Sequence, residues 1–213
     1  MFLTESLKYT CIYKGIVLQL NVTFDNIILF IEMTKDGDLE DYEKVLIGLE
    51  MLITNYEEIE YLPSDEKYQI FMMILKEELS FKRDNEFQTV QATEENLENE
   101  PPSKKEEYDF DVDGERIYAS FLMDYGIDLL EQQGKMHWKK FISLFSGLSE
   151  KTPFMQVVQI RAMEVPAPTK NNQKERNKIL RLKRKYALEN SEKTADEAFE
   201  DMITAFGGKA GDK

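Results

Sequence analysis

Apolar positions recur at two different spacings in the first eighty residues, and the change in spacing predicts the secondary structure. The segments KYTCIY and IVLQL are rich in β-formers and are joined by Lys14-Gly15, which predicts a β-hairpin over residues 7–20. Beyond it, apolar side chains recur every three or four residues, which predicts helices that begin near Thr23, Leu39 and Ser64. Their predicted inward faces contain Phe24, Ile27, Ile28, Ile31, Tyr42, Val45, Leu49, Phe71 and Leu75.

The helical spacing returns in the rear part of the chain. Residues 116–148 hold most of the large apolar side chains of this half, in two amphipathic runs, with breaks at Tyr125-Gly126 and Gly134. A further helix is predicted over Pro153–Met163, with Ser149 as its N-cap. A strongly basic helix is predicted over residues 171–188.

Between these two parts the pattern disappears. The stretch NEFQTVQATEENLENEPPSKKEE has few large apolar side chains and cannot bury enough surface to offset the entropy lost on ordering. We therefore predict a mainly α (α+β) protein. Its parts are a hairpin-plus-helices module over 1–81, a flexible acidic linker over 82–112, a C-terminal helical module over 113–190, and a short acidic helix with a frayed tail over 191–213.

Charge is distributed unevenly over the 213 residues. The formal net charge is −14, with −10 on residues 1–81 and +6 on residues 114–190. An acidic front with a basic rear favours attraction to an oppositely charged partner or to a second copy, so a homo-oligomer is one expectation. Cys11 is the sole cysteine, which excludes an internal disulfide, and the longest apolar run is too short to span a membrane. No signal peptide is read, and the cytosol is the expected compartment.

One motif imitates a metal site. Asp109, Asp111, Asp113 and Gly114 match the start of a calcium-binding loop, D-x-D-x-D-G. The twelfth position is Ser120, where such a loop needs a bidentate glutamate. The pattern therefore favours an acidic linker end, with Asp113 capping the next helix, and no metal ion is predicted.

No residue is marked for catalysis. His137 is the sole histidine and lies beside Trp138, but no serine or cysteine is placed as its nucleophile. The interpretation we favour is a packing residue. Since the chain also lacks a glycine-rich phosphate loop, we expect no enzyme and no cofactor.

The residues expected to contact a partner are aromatic or basic. The aromatic candidates are Tyr118, Phe121, Tyr125, Trp138, Phe141 and Phe145, and the basic ones are Arg181, Arg184 and Lys185. The segment KERNKILRLKRK, residues 174–185, could bind phosphates, but the acidic balance of the protein and the lack of interleaved aromatics argue against nucleic acid. A solvated basic face, or one docked on an acidic surface, is the plainer interpretation.

Several of these segments carry a family resemblance. They are LNVTFDNIILFIEM at residues 20–33, DLEDYEKVLIGLEMLI at 38–53, the rear block at 113–164 with its YGIDL, HWKKF and LFSGLS pieces, and LKRKYAL at 182–188. On these segments the chain resembles the bacteriophage gene-product-fifteen family of long-tailed phages (siphophages) of Gram-positive bacteria. The family has no catalytic motif to carry over.

The resemblance implies a function in tail assembly. Such a protein would act as a chaperone that keeps the long helical tape measure protein soluble and gives way as tail-tube subunits polymerise. It would work in the cytoplasm of the infected bacterium and be absent from the finished virion. Two alternatives remain open: a structural tail component retained in the virion, and a nucleic-acid-binding regulator that uses residues 174–185.

Overall fold

A computed structural model of the chain describes residues 6–79, 108–169 and 172–188. Within them a small antiparallel hairpin precedes seven α-helices, which confirms the predicted mainly α fold class. The elements are β1 Thr10–Tyr13, β2 Ile16–Gln19, α1 Phe24–Thr34, α2 Asp41–Leu52, α3 Ser64–Ile74, α4 Gly114–Tyr125, α5 Trp138–Ser146, α6 Pro153–Ala162 and α7 Gln173–Lys185. None of these helices is long and apolar enough to cross a bilayer. The predicted acidic helix near residues 194–206 lies outside the described residues.

The hairpin forms around the turn that the sequence predicts. Lys14 and Gly15 both have positive φ, 47° and 89°, which is the backbone of a type I′ turn and matches the twist of the two strands. On the far side of β2, the Asn55 side-chain amide donates to the Val17 carbonyl, and its oxygen accepts the Gln19 N–H. This edge of the hairpin is therefore covered, and Leu18 points into the core.

The three front helices pack around a contact that depends on a glycine. Phe30 of α1 and Phe71 of α3 meet edge to face, with ring centroids 6.0 Å apart. Gly48 of α2 faces both rings, and a Cβ added there would lie 2.7 Å from Phe71 and 2.8 Å from Phe30. Close approach of α2 to its two neighbours therefore requires a residue without a side chain.

The first turn of α2 corrects one prediction. Tyr42, expected on the inward face, is 55% exposed. Asp41 and Glu43 beside it are exposed as well, whereas Val45 is buried. The helical spacing is present, but this turn extends beyond the core, so the apolar ring at its start meets solvent.

The front and rear halves share one hydrophobic core. The Phe24 N–H donates to the Met136 carbonyl at 2.9 Å, and the Trp138 N–H donates to the Val22 carbonyl at 2.8 Å. These two bonds lie on either side of a β-bridge between Thr23 and His137. The modules predicted over 1–81 and 113–190 therefore pack directly against each other.

The structure departs from the prediction at the end of the expected linker. Residues 82–107 of that segment belong to the stretch outside the described residues, but 108–112 are part of the fold. Phe110 is 4% exposed, and its ring lies 5.5 Å from that of Phe145 and 6.1 Å from that of Trp138. Two aromatic residues, Tyr108 and Phe110, pack this segment against the core.

The N-cap of α6 is also corrected. Thr152 caps this helix, because its hydroxyl accepts the Met155 N–H, whereas Ser149 was expected to do so. The Ser149 hydroxyl instead donates to the Asp124 carboxylate, which ties the start of this loop to α4. Pro153 occupies the first turn of α6, as predicted.

Candidate functional site

An apolar groove lies between α1, α4 and the segment that connects α4 to α5. It has a volume of about 150 Å³. Its lining consists of Phe24, Ile28, Phe110, Gly114, Ile117, Tyr118, Leu129, Leu130, Gln133 and Phe141. All of these except Gly114 and Gln133 are apolar or aromatic. Such a groove offers an apolar side chain of a partner a place away from water.

The floor of the groove is an aromatic cluster centred on Phe141. Its ring stacks on that of Phe24 with centroids 4.9 Å apart, and on that of Phe121 at 5.2 Å with an interplanar angle of 6°. Trp138 stacks against the same ring at 5.5 Å. Because all four side chains are buried and closely packed, the floor exists before any partner arrives.

A tyrosine and an aspartate form one rim of the groove. The Tyr118 hydroxyl donates to Asp128 Oδ2 at 3.3 Å, while Asp128 Oδ1 accepts the Leu130 N–H at 2.9 Å. Loss of water around the phenol and the neighbouring Asp128 carboxylate raise the pKa of Tyr118 above its ordinary value, so the hydroxyl stays a neutral donor. The contact fixes the turn that carries Leu130.

Three exposed leucines lie on the elements that form the groove, and one of them, Leu130, lines it. Leu130 is 64% exposed, and Leu29, which follows Ile28 in α1, is 62% exposed. Leu122 lies one helical turn after Tyr118 on α4 and is 47% exposed. We call Ile28, Leu29, Tyr118, Leu122 and Leu130 the apolar surface. Exposed apolar side chains next to an apolar groove are typical of a surface that binds another protein.

The structure places the six predicted aromatic contact residues differently from one another. Phe121, Trp138 and Phe145 are buried in the core, and Phe141 is buried beneath the groove. In this conformation these four rings stabilise the fold and are withdrawn from the surface. Tyr118 lies on the groove rim, and the half-buried Tyr125 donates its hydroxyl to the Leu144 carbonyl at 2.8 Å.

Four residues of the apolar surface, Ile28, Leu29, Leu122 and Leu130, were missed as contacts by sequence reasoning. Ile28 was placed on the inward face of its helix, although it is half-buried and lines the groove. Leu29 lies off the stripe of α1 formed by Phe24, Ile27 and Ile31, which is a signal for an exposed apolar residue. Leu130 forms a pair with Leu129, and the latter is buried while the former faces solvent.

The predicted basic contact residues lie on α7. Arg181, Arg184 and Lys185 are exposed, and no residue of this helix is buried. The helix is held at the end of α6 by the Lys183 ammonium, which donates to the carbonyls of Arg161 and Met163. Cationic donors are favourable there because the end of a helix carries unpaired carbonyls.

A second cavity lies where α7 meets α4 and α6. It has a volume of about 310 Å³ and is lined by Arg116, Pro153, Gln156, Val157, Ile160, Lys185 and Tyr186. The Tyr186 ring faces two cations, with the Arg116 guanidinium 5.6 Å and the Lys185 ammonium 5.0 Å from its centroid. The walls are of mixed polarity, in contrast to the apolar groove.

His137 has a structural position. It is 1% exposed and is the N-cap residue of α5, where its Nδ1 accepts the Lys139 N–H at 3.1 Å. Nδ1 is therefore unprotonated, and Nε2 donates to the Lys8 carbonyl at 3.1 Å. Burial lowers the pKa of His137, which keeps the ring neutral. Both ring nitrogens have partners within the protein.

The acidic motif binds cations of the protein itself. Asp109 pairs with the Lys35 ammonium at 2.8 Å and accepts the N–H groups of Asp111 and Val112. Burial alone would raise the pKa of Asp109, but these donors outweigh it and lower the pKa. Asp113 binds Arg116 and Arg161. Within the described ranges no three His, Cys, Asp or Glu side chains are grouped to hold a metal ion.

The thiol of Cys11 is protonated at neutral pH. Burial, together with the carboxylates of Glu77 and Glu78, raises the pKa of Cys11 to about 11. The nucleophilic thiolate is therefore scarce near pH 7. The side chain packs against the core as a small apolar group.

Comparison with known proteins agrees with the sequence motifs. A family model described as "Bacteriophage Gp15 protein" matches residues 3–188, a span that runs from the hairpin to the end of α7. No curated protein and no solved structure matches the chain. The family match covers most of the chain, including both halves that contribute to the apolar groove. The chain therefore belongs to the bacteriophage Gp15 protein family.

Proposed function

We propose that this protein is a non-enzymatic tail-assembly chaperone that binds the tape measure protein of a siphophage of Gram-positive bacteria. Its family indicates, more broadly, a phage protein of structure or assembly. The observation that carries the finer proposal is the apolar surface around the groove between α1 and α4. The identity of the partner comes from the resemblance, and the surface has the chemistry that such a partner needs.

The expected mode of binding is a helix laid along the apolar surface. A long helical partner with apolar side chains every three or four residues would insert one of them between Ile28 and Tyr118. Its neighbours would then cover Leu29, Leu122 and Leu130, removing apolar area from water on both molecules. Because the preformed floor holds the groove open, binding requires little rearrangement.

The size of the groove and the net charge of the protein are suited to transient binding of a partner. A groove of about 150 Å³ accepts one side chain at a time, so each contact is weak and can be displaced by tail-tube subunits. The net charge of −14 keeps a complex with an apolar rod soluble by mutual repulsion. We therefore expect action in the host cytoplasm and absence from the finished virion.

Co-expression with the tape measure protein tests the proposal. The soluble fraction of the tape measure is measured with the natural chain, with Leu130→Asp, and with Tyr61→Asp. Tyr61 is 73% exposed and lines neither cavity, so it is a matched control for an exposed apolar residue. We expect the natural chain and Tyr61→Asp to keep the tape measure soluble, and Leu130→Asp to lose most of this effect. Equal solubility with and without the natural chain would contradict the proposal.

A second measurement separates a chaperone from a structural component. Quantitative mass spectrometry of purified virions should find the protein far below the amounts of tail proteins. Recovery in stoichiometric amounts would favour a tail component that stays in the particle. A pull-down from infected cells, with tube and tape measure proteins identified by mass, shows which of the two is bound.

A further inference from the structure

The outer face of α7 carries a continuous stripe of cations. Lys174, Lys178, Arg181 and Lys185 follow one another at spacings of four, three and four residues, so they lie on the same side of the helix. All four are exposed. With a rise of about 1.5 Å per residue the stripe is about 16 Å long. We call these four residues the basic stripe.

The opposite face of α7 binds the body of the protein. Arg176 donates to the Pro166 carbonyl, and Lys183 donates to the end of α6. Ile179 and Leu180 are half-buried on that side. In contrast, no cation of the basic stripe forms an ion pair with a carboxylate in the described part of the chain. Packing therefore fixes the helix and leaves Lys174, Lys178 and Arg181 facing solvent, while the exposed Lys185 also lies over the Tyr186 ring.

An acidic surface lies in the front half. Five exposed carboxylates occur within eight residues of the connection between α1 and α2 and the first turn of α2, namely Asp36, Asp38, Glu40, Asp41 and Glu43. The flanking lysines are already engaged: Lys35 binds Glu32 and Asp109, and Lys44 donates to the Thr34 carbonyl. We call these five residues the acidic patch.

We propose that the basic stripe of one copy binds the acidic patch of a second copy. The two surfaces have opposite charge, and both lie on ordered elements, so little conformational freedom is lost when they meet. Because the two surfaces are different parts of the chain, the contact is head to tail and generates either a ring or an open array. This proposal is independent of the one for the apolar surface, which uses other residues.

Sedimentation velocity of the full chain measures this association. A high protein concentration, roughly 100 µM, is used because exposed ion pairs are individually weak. We expect concentration-dependent growth in size at about 0.1 M salt, where the Debye length of about 10 Å screens the overall repulsion of −14 charges but not the contact itself. At about 1 M salt, where that length is about 3 Å, the protein should be monomeric.

Charge reversal of the basic stripe tests its residues. The double variant Lys178→Glu with Arg181→Glu should weaken self-association by more than about tenfold. A matched control, Lys140→Glu with Lys151→Glu, makes the same change of net charge at two exposed lysines elsewhere. It should associate as the natural chain does. A monomer at every salt concentration, or equal effects of the two double variants, would overturn the proposal.

Complementation identifies the second surface. The variant Asp38→Lys with Asp41→Lys should also be monomeric, but an equimolar mixture with Lys178→Glu, Arg181→Glu should associate again. In that mixture each stripe meets a patch of opposite sign. A mixture that stays monomeric overturns the assignment of the acidic patch. A natural chain that stays monomeric yet binds duplex DNA through Lys178 and Arg181 overturns the proposal in favour of nucleic acid.

Discussion

Arg161 holds both carboxylate oxygens of Asp113. Its Nη1 lies 2.5 Å from Oδ2 and its Nη2 lies 3.0 Å from Oδ1, and both side chains are buried. The Arg161 Nε donates to the Tyr186 carbonyl. One guanidinium therefore connects the start of α4, the end of α6 and the end of α7, and it orients the helix that carries the basic stripe.

Removal of the Arg161 guanidinium should destabilise the protein more than removal of the Arg116 guanidinium, which also binds Asp113. We expect Arg161→Ala to lower the free energy of unfolding by about 3–5 kcal/mol, because it leaves the buried Asp113 carboxylate without its main partner. Arg116→Ala removes the other cation that binds Asp113. The Arg116 side chain is 35% exposed, so its loss should lower the free energy of unfolding by less than about 1 kcal/mol. Urea denaturation of both variants checks this. Equal losses would contradict the assignment of Arg161 as the anchor.

Gly48 should reverse the usual effect of alanine in a helix. Replacing a glycine by alanine inside a helix normally raises the free energy of unfolding by about 0.5–1 kcal/mol. At Gly48 the added methyl group would collide with Phe30 and Phe71, so Gly48→Ala should instead lose about 1–3 kcal/mol. Gly114, at the start of α4, has no atom within 4 Å of an added Cβ, so Gly114→Ala should be neutral or stabilising. A more stable Gly48→Ala protein in thermal denaturation would disprove the close contact.

The buried histidine should make stability depend on pH. Burial lowers the pKa of His137 below its ordinary 6.5, so the unfolded chain takes up a proton at a higher pH than the folded one. Stability is therefore unaffected by this group well above pH 6.5 and falls as the pH drops through 6.5 toward the lower folded value. Of the charged neighbours, Glu78 opposes this shift and Lys139 adds to it.

The variant His137→Asn isolates this contribution. Asparagine is a good N-cap residue but does not titrate, so it should retain the cap of α5 and remove the pH dependence that comes from the imidazole. The free energies of unfolding of both proteins are compared at several pH values between about 5 and 8. Parallel profiles for the two proteins would show that His137 is not the titrating group.

The two halves should unfold together. Phe24 of the front half stacks on Phe141 of the rear half, so unfolding of one half would expose the buried apolar surface of the other. We expect one calorimetric transition, with a ratio of calorimetric to van't Hoff enthalpy of about 1. Phe141→Ala should lower the stability of the whole unit by about 3–5 kcal/mol, whereas Leu130→Ala at the exposed rim should change it by less than about 0.5 kcal/mol. Two separate transitions would contradict a shared core.

The sequence alone determined the elements whose causes are local. The turn at Lys14 and Gly15 needs positive φ at both residues, and the helical spacing in 24–34 and 173–185 depends only on neighbours three and four residues away. The family could also be identified from sequence, since short motifs carry it. A cap was misplaced at Ser149 because several hydroxyls near the start of α6 could serve, and only their geometry selects Thr152.

The tertiary structure alone decided how the two halves meet and which apolar side chains stay outside. Phe121, Trp138 and Phe145 recur at spacings of three or four residues along their helices, as Tyr118 does. They are buried, whereas Tyr118 lies on the groove rim. The difference arises because Phe110 packs against Trp138 and Phe145, and Phe141 of α5 stacks on Phe121. Periodicity shows which residues share a face of a helix. What covers that face depends on contacts between distant parts of the chain, which no local spacing encodes.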